Sequence, residues 1–303
     1  MTDRIKTVTL IGAGTIGVKI SARALIFGSR VRLYDVKPHA LEIAKILVKA
    51  EIEASCRNGL AKEDPQDIFQ RASFHNDLDQ AVVDTDLIIE AVPEKLDIKK
   101  EVFAQLDQVS AKHVIIATNS SSIPVAKIED AVTRKDRVAN IHFYTAPVLT
   151  YSFVDLMRGT QTSDETFAIA QAWIESIGCI ALIVKKECMG FVFNRIWHAV
   201  KREALASWAG GHADYKDIDR AWKLWSGMMA GPFGMMDYVG LDVVYDIEMA
   251  YFLDSQDLKD RPPDALKAMI ERGELGFKSG KGFYDWSDPE FLKPEFTRPK
   301  DNP

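Results

Sequence analysis

The segment Gly12-Ala13-Gly14-Thr15-Ile16-Gly17 has the spacing G-x-G-x-x-G directly after the apolar run Val8-Thr9-Leu10-Ile11. Each glycine has a separate use there. The first allows a tight turn, the second lets backbone approach a pyrophosphate, and the third lets a helix pack closely on a strand. The phosphates would rest on the unpaired N–H groups that open the helix, including those of Thr15 and Ile16. Asp35 ends the next β-rich run, Val31-Arg32-Leu33-Tyr34. A carboxylate at that spacing accepts from a ribose 2′-hydroxyl and repels a 2′-phosphate, so NAD is expected over NADP. Lys37 is the one neighbour that argues for the phosphate.

Oxidation of an alcohol by a nicotinamide needs a group that takes the hydroxyl proton, and histidine titrates near neutrality. The chain has six histidines. His39 lies beside Pro38 at a helix start, His75 in a polar segment, His113 at the beginning of a strand and His212 after Gly210-Gly211. These four read as solvated or structural. His142 closes the run Val138 to Ile141 and precedes Phe143-Tyr144-Thr145-Ala146-Pro147, which puts it at a strand end, where doubly wound sheets bind ligands. His198 is its rival. It lies four residues after Asn194, on the same helix face, and its plainer reading is a buried, hydrogen-bonded helix histidine. The hydroxyls of Ser120-Ser121-Ser122, after the strand ending at Ala117, either reach a ligand or cap the following turn. No glycine-flanked nucleophile and no metal-ligand spacing is present.

These residues need a scaffold. Short β-rich runs alternate with helical patterns over the first 185 or so residues. Leu41, Ala44, Val48 and Ile52 mark one face of a helix opened by Pro38 and stopped at Asn58-Gly59. Leu87-Ile88-Ile89 and Val114-Ile115-Ile116 suit strands buried on both faces. The pattern predicts an α/β domain with a doubly wound, Rossmann-type parallel sheet over 1–186, followed by an all-α domain over 187–303. In the second part, Phe191, Ile196, Val200 and Leu205 are expected on one helix, with Asp217 capping the next. Trp197, Trp208, Trp222 and Trp225 are expected in a core or a subunit interface, and the proline-rich tail after Trp286 as irregular.

Length and composition agree. The chain has 303 residues, 47% hydrophobic and 27% charged, with a formal net charge of -6. An acidic chain with no basic patch gives no footprint for nucleic acid or an anionic membrane. No run approaches about 18 consecutive apolar residues. The uncharged run Thr7 to Val18 is broken by three glycines, which argues against an export signal. Cys56, Cys179 and Cys188 cannot all pair, so a reducing, cytoplasmic setting is expected.

The chain resembles the 3-hydroxyacyl-CoA dehydrogenase family over nearly its whole length. The resemblance is carried by Val8 to Gly17, Glu90-Ala91-Val92-Pro93-Glu94, Thr118 to Ser122, Ile141-His142-Phe143 and Gly190-Phe191-Val192-Phe193-Asn194-Arg195. It continues through Gly231-Pro232-Phe233-Gly234, Asp237 to Asp242 and Gly276 to Tyr284. It implies a two-domain NAD enzyme that oxidises a 3-hydroxyl to a 3-keto group and dimerises through its helical domain. By resemblance His142 is the general base, and Asp155 stands where the family has the glutamate that orients it. Ser121 and Asn194 match the residues that hold the substrate oxygen. Glu94, Lys99 and Lys278 match positions near the NAD ribose and nicotinamide. Departures from the pattern are also present. Thr145 and Ala146 replace an Asn-Pro, Asp155 is shorter than glutamate and lies thirteen residues after His142, and Arg57-Asn58-Gly59-Leu60-Ala61 lacks the lysine typical of CoA contacts. Arg57 or Lys62 could substitute. Relatives in the wider family take free hydroxy acids of gulonate or carnitine type, or pyridine-derived alcohols. Others are NAD-binding lens proteins, the lambda-crystallins. These leave a non-CoA substrate, or a structural role, as alternatives.

Overall fold

The computed structural model describes residues 5–144 and 152–298. The chain divides into two compact units, Met1–Val192 and Phe193–Pro303. The sequence-based junction at 186/187 lies just before that division.

The first unit runs β1 (Thr7–Ile11), α1 (Thr15–Ile26), β2 (Arg30–Tyr34), α2 (Pro38–Arg57), α3 (Pro65–Phe69), β3 (Ala72–His75), α4 (Leu78–Ala81), β4 (Leu87–Glu90), α5 (Leu96–Val109), β5 (Ile115–Thr118), β6 (Val138–Phe143), β7 (Ser152–Arg158), α6 (Asp164–Ser176) and β8 (Cys179–Val184). All eight strands form one sheet in the order β3-β2-β1-β4-β5-β6-β7-β8. The order reverses between β1 and β4, so a crevice opens at the carboxyl ends of those strands, where such sheets bind ligands. β4 and β5 are buried at every residue, as continuous apolar runs covered on both faces must be. The expected face of α2, Leu41, Ala44, Val48 and Ile52, is the face it buries.

The sheet is not wholly parallel. β7 runs antiparallel to β6, and β8 returns parallel to β7. β3 falls in the segment read as merely polar around His75. It is four half-buried residues long, too short to show a period. His113 does not begin a strand; it is an exposed turn residue ahead of β5.

The second unit is helical: α7 (Phe193–Ala209), α8 (Tyr215–Ser226), α9 (Pro232–Val239), α10 (Leu241–Ser255) and α11 (Asp264–Glu271). Leu205, Phe233, Met236, Leu241, Val244, Leu266 and Tyr284 form its core. Phe191 is not on α7. It precedes the helix with a positive φ of 52° and is buried. Asp214, not Asp217, caps α8 by accepting from the Lys216 N–H at 2.9 Å. Asp217 lies within the first turn, paired with Arg220. Trp208 packs edge-on to Phe283, whereas Trp225 is 84% exposed. The tail forms short 3-10 turns that bury Phe291 and Phe296.

Asp219 holds this unit together from inside. Pro232 opens α9 without an N–H, and the next two N–H groups, of Phe233 and Gly234, donate to Asp219 at 2.8 and 2.9 Å. The Tyr284 hydroxyl donates to the same carboxylate at 3.0 Å. Burial still outweighs these bonds and pushes the Asp219 carboxyl up to about 6. The folded state therefore holds this proton more tightly than the unfolded chain does. The stability it contributes is present near pH 4 and is lost as the pH rises through 6. The melting-temperature advantage of wild type over Asp219→Asn is expected to shrink between pH 4.5 and pH 7.5 on the scale of a few degrees. An advantage that grows over that window would contradict this assignment.

Candidate active site

Gly12 and Gly17 meet the steric demands expected of them. Gly12 has φ of 114°, and a Cβ there would meet the Ala91 carbonyl oxygen at 2.6 Å. A Cβ on Gly17 would lie 2.0 Å from the Gly12 oxygen, while one on Gly14 would meet nothing within 4 Å. The middle glycine thus faces open space. Gly14 is also the N-cap of α1, with no side-chain cap and no acid in the first turn. The N–H groups that open α1 are left for an anion, which suits a pyrophosphate.

Asp35 follows β2, with Oδ2 accepting from Ala13 N–H and Oδ1 from Lys37 N–H, both at 2.9 Å. These bonds fix the carboxylate beside the glycine turn and leave lone pairs for ribose hydroxyls. Replacing Asp35 with alanine is expected to reduce the preference for NAD over NADP by about tenfold, roughly one charge-assisted hydrogen bond. The check is kcat/KM with each cofactor. Equal use of NADP by the wild type would contradict this role.

A buried ionic network lies at the ends of β4 and β5. Glu90 is 0% exposed and Lys99 1%. The Lys99 ammonium meets Glu90 Oε1 at 2.8 Å and Glu94 Oε2 at 3.1 Å. Glu90 also accepts from the Val92 N–H and the Thr118 hydroxyl, both at 2.7 Å. Glu94 accepts from the hydroxyls of Ser120 and Ser122. Burial pushes the Glu94 carboxyl up, but the Lys99 charge and the serine hydroxyls outweigh it and hold it below the usual range. Lys99 is thus spent on carboxylates and acts on its surroundings through Glu94. The serines divide their work. Ser120 Oγ also accepts from Ile123 N–H at 2.8 Å, closing the turn, while Ser121 makes no hydrogen bond among the described residues. The turn-closing reading thus falls to Ser120.

His142 and Asp155 are directly opposite each other on the antiparallel pair β6·β7. Opposed residues project from the same face with Cβ atoms about 5 Å apart, which lets the shorter aspartate reach. His142 Nδ1 lies 3.4 Å from Asp155 Oδ2, with both side chains buried. The same oxygen accepts from the Tyr144 hydroxyl, and the Tyr144 ring packs against the imidazole at 4.4 Å. Phe191 closes another side at 5.5 Å. Asn119 Oδ1 accepts from Phe143 N–H at 2.8 Å and pins the strand end. Thr145 and Ala146 lie outside the described residues.

In the helical unit, Asn194 sits in the first turn of α7 with no side-chain hydrogen bond among the described residues. Lys278 pairs with Asp242 at 2.5 Å on the surface. His198 is the buried helix histidine expected. It meets Glu248 at 2.6 Å and Asp260 at 3.2 Å, and stacks on Tyr251. Sequence reasoning missed the parts of Glu90 and Tyr144, and of Asn140, which donates to the Thr118 and Ser120 carbonyls. The one available signal was a carboxylate closing the apolar run Leu87-Ile88-Ile89.

Residues 7–188 match the family model "3-hydroxyacyl-CoA dehydrogenase, NAD binding domain", and residues 190–286 match the model of its C-terminal domain. The chain belongs to the 3-hydroxyacyl-CoA dehydrogenase family. As a member of the 3-hydroxyacyl-CoA dehydrogenase family it is an NAD-dependent dehydrogenase acting on a hydroxyl group. It is 34% identical over 285 residues to a probable 3-hydroxybutyryl-CoA dehydrogenase of Bacillus subtilis, covering 94% of this chain and 98% of that one. It is 30% identical over 292 residues to the 5-formyl-3-hydroxy-2-methylpyridine 4-carboxylate 5-dehydrogenase of Mesorhizobium japonicum, covering 95% and 93%. Its fold is similar to the crystal structure of (S)-3-hydroxybutyryl-CoA dehydrogenase from Ralstonia eutropha, with TM-score 0.84, 32% identity and coverage of 94% and 100%. Among the described residues no helix is long and apolar enough to cross a membrane.

Proposed function

We propose that the chain oxidises the 3-hydroxyl of a 3-hydroxyacyl-CoA thioester to the 3-keto group, with His142 as general base. The buried, register-opposed pair His142–Asp155 is the observation that carries this reading. With Nδ1–H donating to Asp155, Nε2 is the basic nitrogen and takes the hydroxyl proton. Asp155 holds the ring and stabilises the imidazolium that results. NAD+, when bound, supplies the acceptor for the hydrogen that leaves C3 with its bonding electrons. Ser121 and Asn194, each without a side-chain hydrogen bond among the described residues, hold the substrate oxygen. Gly12, Gly14 and Gly17 with the N–H groups of Thr15 and Ile16 hold the pyrophosphate. Asp35 takes the adenosine ribose, while Glu94, positioned by Lys99, and Lys278 serve the nicotinamide side.

Arg57 and Lys62 support a thioester. Both are exposed beside the end of α2, and neither has an ion-pair partner among the described residues. A second reading keeps the chemistry and drops CoA. It is favoured by the lack of the family's lysine in the segment Arg57-Asn58-Gly59-Leu60-Ala61 and by the likeness to the pyridine carboxylate enzyme. NADH formation with 3-hydroxybutyryl-CoA and with free 3-hydroxy acids separates the two. Turnover of free acids alone would sink the first. We also place the enzyme in the cytoplasm as a homodimer assembled through the helical unit, where Leu224, Trp225 and Met229 lie exposed. A monomeric mass in solution would contradict the dimer.

A further inference from the structure

We propose that Tyr144 is a positioning residue for the base, its hydroxyl setting where Asp155 stands against His142 and how strongly it stabilises the imidazolium. The inference rests on the reading of His142 as the base and deepens it. Asp155 has two oxygens, and they are used unequally. Oδ2 accepts from both the Tyr144 hydroxyl and His142 Nδ1, and the phenol bond is the shorter of the two. Oδ1 is buried and has no hydrogen-bond partner among the described residues. Two donors therefore compete for one oxygen, and the 3.4 Å gap to the imidazole is the longer arm of that contest.

The geometry gives this competition a direction. A phenol that donates to a carboxylate draws on the charge that would otherwise face the imidazolium. Among the described residues, Asp155 on β7 and Tyr144 beyond β6 are the titratable groups that contact the His142 ring. Phe191 adds an uncharged face. With the carboxylate shared, Asp155 orients the ring while exerting only part of its pull. Removing the phenol donor returns the whole carboxylate charge to the imidazole and favours its protonated form. The Tyr144 ring also packs at a tilt against Phe153 at 4.8 Å and edge-on against His142 at 4.4 Å, so its aromatic part is fixed independently of the hydroxyl.

Tyr144→Phe keeps the ring and removes the donor. In this variant the acid limb of kcat/KM for NADH formation is expected to move to higher pH by ~0.5–1 unit, with KM for NAD+ unchanged. In an Asp155→Asn background, the same substitution is expected to leave the profile where it was. An acid limb that stays in place in Tyr144→Phe overturns the proposal and leaves the tyrosine a packing residue. Histidine-selective NMR provides a measurement that needs no turnover, the His142 signal being assigned by its loss in His142→Ala. That signal should titrate at higher pH in Tyr144→Phe, and an unchanged titration overturns the proposal. Wild-type turnover in His142→Ala would instead overturn the reading of the base itself.

Discussion

His142→Ala is expected to lower kcat by about 10²–10⁴-fold, the usual share of a positioned acid–base group. KM for NAD+ should change little, because none of the groups assigned to the cofactor contacts the imidazole. The expected size follows from burial. His142 is 5% exposed, so bulk water is poorly placed to replace it as proton acceptor. Asp155→Asn should fall in the same direction by a smaller factor. It would retain the ring's neighbours Tyr144 and Phe191 while losing the charge that favours imidazolium. Steady-state kinetics of the two variants beside wild type checks both statements. A His142→Ala enzyme within about twofold of wild type would remove this residue from the chemistry.

Lys99→Met is expected to cost about 3–5 kcal/mol of stability, the range for breaking one partner out of a buried ion pair. At the scale of this domain that is a fall in melting temperature of roughly 10 °C. Glu90 is the cause. Fully buried, it would keep the Val92 N–H and Thr118 hydroxyl but lose its only cation among the described residues. Adding Glu90→Gln should recover part of the loss, since the uncompensated charge then disappears. The same lysine sets Glu94, so NAD affinity should weaken in Lys99→Met even where the protein stays folded. Thermal melts and NAD titration separate the two effects. A melting temperature within about 2 °C of wild type would show that Glu90 is neutralised some other way.

Much of this site could be read from residue order alone, because its logic is local. The glycine turn needs small residues at fixed spacing, and the structure shows close backbone contacts at Gly12 and Gly17 and open space at Gly14. The face of α2 follows a helical period that survives any tertiary context. What could not be read is cross-strand. Nothing within Ser152 to Arg158 says that the strand will run antiparallel or that Asp155 will stand opposite His142. That register turns a shorter acid at an unfamiliar spacing into a partner for His142. Among three neighbouring serines, only the placement of Glu94 distinguishes the two that bind it from Ser121. The apolar spacing puts Phe191 on a helix, yet it adopts a left-handed backbone and packs on the histidine instead. Periodicity carries no information about a residue that leaves the helix to line a site.

NADH formation from 3-hydroxybutyryl-CoA and NAD+, by wild type and by His142→Ala in parallel, shows whether this NAD-dependent dehydrogenase acts on a 3-hydroxyacyl-CoA through His142. Steady turnover is expected of wild type, with a loss of about 10²-fold or more in the variant. No turnover of the thioester by a folded, NAD-binding wild type, or equal turnover by both proteins, would contradict this reading.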